Sequence, residues 1–130
     1  MLEKEVSKIE ILGKEYPFKC DMVVLERIQK EYGDVLDYEH SIIGVIPYYD
    51  EDGNRDEKKD KNTIPDIGKV CKGLVWMIEE GIEITGEDMA APDEKELMRQ
   101  EDYSVTELAL EVWKEFSKSF LSKKKRKKKS

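Results

Sequence analysis

The stretch from Thr63 to Gly81 restricts this chain more than any other. Ile67, Val70, Cys71, Leu74, Val75 and Ile78 recur at helical spacing, and Trp76 and Met77 widen the stripe they form. A helix that is apolar around so much of its circumference has to be covered on several sides, so it is predicted to be the central element. Thr63 and Asp66 resemble a capping box around Pro65, which places the helix start. Gly81 is read as its end. The rest of the chain must supply the cover.

Several segments qualify. Between residues 6 and 20, Ile9 and Ile11 alternate with Lys8 and Glu10, and Tyr16, Phe18 and Cys20 alternate with Pro17 and Lys19. That period of two predicts a β-hairpin with one buried face, turning at Gly13-Lys14. Pro17 has no N–H to give a ladder, so the second arm belongs at an edge or turns that donor outward. Asp21 offers an N-cap to a helix over Met22 to Tyr32, with Met22, Leu25, Ile28 and Tyr32 on its apolar face and Gly33 as its stop. Residues 34–49 predict a short helix and then an extended piece, interrupted by Gly44 and Pro47. Residues 82–103 are acidic and punctuated, with a turn at Ile84-Thr85-Gly86, a break at Pro92 and a short helix over Glu94 to Gln100. Ser104 and Glu107 form a capping box for a last helix ending near Leu121. Its stripe is Val105, Leu108, Ala109, Val112, Phe116 and Phe120.

Between these elements, residues 50–62 hold ten charged residues in thirteen and no apolar one. A segment of that composition cannot bury itself and reads as an exposed, mobile loop. The expected architecture is α+β: an N-terminal β-hairpin packed on a mainly helical body. A single domain spans residues 1–121, followed by a disordered basic tail over 122–130. A chain of 130 residues suits one such domain.

Charge narrows the function. The net value is −7, but seven consecutive cations, Lys123 to Lys129, sit in the tail. Without them 16 basic residues face 30 acidic ones, and the body stands at −14. Nucleic acid binds clustered cations, so it is not expected as a partner except through residues 123–129. No apolar run approaches the roughly 20 residues that cross a bilayer, and the N-terminus lacks the pattern of a secretory signal. Cys20 and Cys71 belong to no paired motif and sit among apolar neighbours, as in a reducing cytoplasm.

Catalytic equipment is not apparent. The one histidine, His40, has no serine or cysteine motif pointing to it. Asp50, Asp52, Asn54 and Asp56 alternate like a calcium loop. The glycine comes two places early, however, and Lys61 stands where a closing glutamate belongs. Glu79-Glu80 and Glu87-Asp88 are adjacent pairs that diverge on a helix. No phosphate loop, nucleophile elbow or metal spacing occurs. The expectation is a protein that is not an enzyme and uses no cofactor or metal. Its candidate partner-binding residues are the aromatics Trp113, Phe116 and Phe120, backed by Trp76, although aromatics at helical spacing commonly serve a core.

Four blocks in order carry a resemblance. They are Ile9-Glu-Ile-Leu-Gly-Lys-Glu-Tyr-Pro-Phe-Lys, Leu25-Glu-Arg-Ile-Gln-Lys-Glu-Tyr-Gly33, Leu74-Val-Trp-Met-Ile-Glu-Glu-Gly-Ile-Glu-Ile84 and the C-terminal amphipathic helix. In order, spacing and length this chain resembles the tail assembly chaperones of long-tailed phages and of prophages in Gram-positive bacteria. The likeness covers roughly residues 5 to 86 well. The chain departs from it in the long charged segment 50–62 and over residues 87–103. The resemblance implies a non-enzymatic factor that acts in the cytoplasm of the bacterial host and is absent from the mature virion. It would bind and solubilise the tape-measure protein and help recruit tail-tube subunits; self-association stays open. It also implies a programmed ribosomal slip near the end of a short reading frame, which lysine codons under Lys123 to Lys129 could house. The alternatives are a small nucleic-acid-associated protein using its basic tail, or another phage structural adaptor.

Overall fold

A computed structural model describes residues 5–121. The element order is β1 (Ser7–Ile11), β2 (Lys14–Phe18), α1 (Met22–Tyr32), α2 (Val35–Ile43), β3 (Val45–Ile46), a 3-10 turn (Glu57–Lys59), β4 (Lys61–Asn62), α3 (Ile67–Thr85), α4 (Glu94–Met98) and α5 (Val105–Lys118). The α+β architecture is as expected: an antiparallel hairpin on a mainly helical body. The tail over 122–130, with Lys123 to Lys129, lies outside the described residues.

α3 is central. Strand β2 and helices α1, α2, α4 and α5 all pack on it, and Val70, Cys71, Leu74, Trp76, Met77 and Ile78 are buried beneath them. Full burial of such a side chain contributes roughly 1.5–3 kcal/mol, so the broad apolar stripe is a large contributor to stability. Its ends differ from expectation. The N-cap is Asp66, whose carboxylate accepts the Lys69 N–H at 3.1 Å, and Thr63 lies in the chain leading in. Gly81 does not end the helix. It lies inside α3, and Gly86, at φ +70°, caps it by donating to the Ile82 carbonyl at 2.8 Å.

Gly81 has a packing role instead. A Cβ there would stand 2.5 Å from the Pro17 carbonyl carbon and 2.7 Å from the Phe18 nitrogen. Its absence lets β2 lie directly on the helix, and the Lys19 N–H reaches the Met77 carbonyl at 2.9 Å. Pro17 is buried, and β2, in a two-stranded sheet, is an edge strand as expected. Gly73 is a second notch. A Cβ there would meet the Tyr38 hydroxyl at 2.0 Å. That fully buried tyrosine donates from its hydroxyl to the Lys69 carbonyl at 2.9 Å.

The hairpin pairs Ser7 with Phe18 through Ile11 with Lys14. This register puts Leu12 and Gly13, both at positive φ (57° and 74°), in a two-residue turn, one place earlier than Gly13-Lys14. The turn is braced from the far end of the chain. Asp102 accepts the Leu12 N–H at 2.9 Å, and the Tyr103 hydroxyl donates to the Glu10 carbonyl at 3.1 Å.

α1 occupies its predicted span, with Asp21 as N-cap, but its buried face is rotated. Val24 and Ile28 are buried while Met22 is 84% exposed. In α5 the capping box of Ser104 and Glu107 is present. Leu108, Ala109, Val112 and Phe116 are buried, whereas Val105 and Phe120, at the ends of the stripe, are exposed.

Residues 50–62 are exposed, as their composition demands, yet they have defined structure. β3 and β4 pair antiparallel, Tyr49 bridges Arg55, and Asp50 accepts the N–H groups of Asp52 and Asn54 at 2.9 Å. The Arg55 guanidinium holds Asp60, with Nε at 3.0 Å. Hydrogen bonds and one ion pair do here what apolar burial does elsewhere. The segment is exposed as expected, and these bonds shape it into a β-arm.

Candidate partner-binding surface

α2 and α5 pack side by side and leave a groove between their outward edges. It measures about 290 Å³ and is lined by Ile42, Ile43, Pro65, Thr106, Ala109, Leu110 and Trp113. The lining follows from helix geometry. On α5, Thr106, Leu110 and Trp113 stand three or four residues apart and share one edge, beside the stripe that faces α3. On α2, adjacent Ile42 and Ile43 point apart, one buried in the core and the other into the groove mouth. Trp113 is fixed at one end by its indole N–H, which donates to Glu39 Oε2 at 3.1 Å.

The groove is one part of a longer apolar belt. Pro65 also lines a neighbouring depression with Val45, Ile46, Ile64 and Ile67. Ile67 in turn lines a third with Leu97, Met98, Val105 and Leu108. Along the belt Ile43, Ile46, Ile64 (72% exposed), Ile67, Met98, Val105 and Leu110 all present side chain to solvent. Scattered apolar residues are ordinary on a surface, whereas these seven line three neighbouring depressions.

The four predicted aromatics do not converge. Only Trp113 lines the groove. Phe116 is fully buried, tilted against Tyr38 with centroids 5.7 Å apart. Trp76 is buried on another side of α3, where the Arg27 guanidinium lies 4.9 Å and the Lys72 ammonium 5.5 Å from its ring. Phe120 is 54% exposed past the end of α5 and meets Phe116 edge-on at 5.2 Å. The residues missed were Ile43, Pro65, Leu110 and their neighbours. Leu110 with Trp113, at i and i+3 beside the main stripe of α5, was the available signal.

A second cleft, of about 210 Å³, lies where the hairpin exit meets the end of α5, with Cys20, Glu115 and Ser119 in its wall. Glu115 is buried and its oxygens are spent on structure. It accepts from the Ser7 hydroxyl at 2.5 Å and the Cys20 N–H at 3.3 Å, and pairs with Lys118 at 3.3 Å. Burial pushes the Cys20 thiol up to about 12, so it carries almost no thiolate at neutral pH. His40 lies elsewhere, its Nε2 3.4 Å from Arg55 Nη1. Among the described residues no three His, Cys, Asp or Glu side chains gather to hold a metal ion, and no helix is long and apolar enough to cross a membrane.

Compared with protein-family models, with curated proteins and with solved structures, nothing matches this chain. The surface chemistry and the resemblance of the four sequence blocks therefore carry the functional reading.

Proposed function

We propose that this protein is a non-enzymatic tail assembly chaperone of a long-tailed phage or prophage. It binds apolar helical stretches of the tape-measure protein, keeps them soluble and helps recruit tail-tube subunits. It acts in the host cytoplasm and is left out of the finished virion. The observation that supports this most is the exposed apolar belt running from Trp113 past Pro65 to Ile64 and Met98. A client helix laid into a groove between amphipathic helices is an established mode of recognition. The body at −14 keeps loaded complexes apart by like-charge repulsion.

The test is co-expression with a long, coiled tape-measure-like protein. A soluble complex is expected with the natural sequence and with residues 122–130 removed, and aggregation of the client with Leu110→Asp plus Ile43→Asp. A client that stays soluble with the double variant, or is never solubilised, refutes the reading. A steeply salt-dependent DNA affinity that disappears with the tail would favour the nucleic-acid alternative.

A further inference from the structure

We draw no further inference here: the strongest candidate, the exposed apolar surface patch that runs from the α2–α5 groove past Pro65 to Met98, belongs to the site already described, and nothing in the structure shows what covers it.

Discussion

At the scale of single residues, the absence of a side chain matters as much as its presence. Alanine is the better helix former, and in an open position Gly→Ala would gain up to about 1 kcal/mol. At Gly81 the new Cβ would meet Pro17 and Phe18 backbone, which cannot rotate away. Gly81→Ala is therefore expected to destabilise by about 1–3 kcal/mol in urea denaturation. Gly73→Ala drives its Cβ into the fully buried Tyr38 side chain and should also destabilise, through the displaced hydroxyl bond to Lys69. Cys20 offers a chemical check. With its thiol raised to about 12 and its sulfur buried, it should resist alkylation at pH 8 until denaturant is added. Rapid labelling of the folded protein would contradict that placement.

At the scale of elements, periodicity made the helices and the hairpin readable, and local chemistry decided where they end. Gly81 looked like a stop because glycine commonly is one; only the approach of β2 shows its other use. The β-arm over residues 45–62 was hardest to read, since polar hydrogen bonds leave no hydrophobic period to detect. It also carries its own pH dependence. Hydrogen bonds from the Arg55 guanidinium hold the Asp60 carboxyl below the usual carboxylate range, and the Tyr48 N–H adds to this at 2.9 Å. A carboxyl so lowered stabilises the arm above its ordinary value of 3.8, and that contribution is lost as the pH falls through the lower folded value. The fluorescence of Tyr48 and Tyr49 should thus hold its native form down to about pH 3.8 and change below it. Asp60→Asn should abolish that acid transition.

For the whole molecule, the groove and the core can be separated by experiment. Phe116→Ser should cost about 3–5 kcal/mol, because it empties a fully buried site. Leu110→Asp, at a position 47% exposed, should shift stability by about 0.5 kcal/mol or less while removing client binding. A thermal melt beside a binding assay tells the two apart. The periodicity placed the central helix and offered Trp113 and Phe116 alike as groove candidates on a stripe that commonly serves a core; Trp113 lines the groove and Phe116 is buried. An amphipathic stripe reports that a face is covered and is silent on what covers it. The two notches of α3 have a mechanical consequence. A slide of that helix by one residue, about 1.5 Å, would carry Lys72 or Leu74 under Tyr38 and a neighbour with a Cβ under Pro17. The shaft is keyed at both points, so a guest arriving at the groove must be met by rotamers along its walls while the axle of the domain keeps its register.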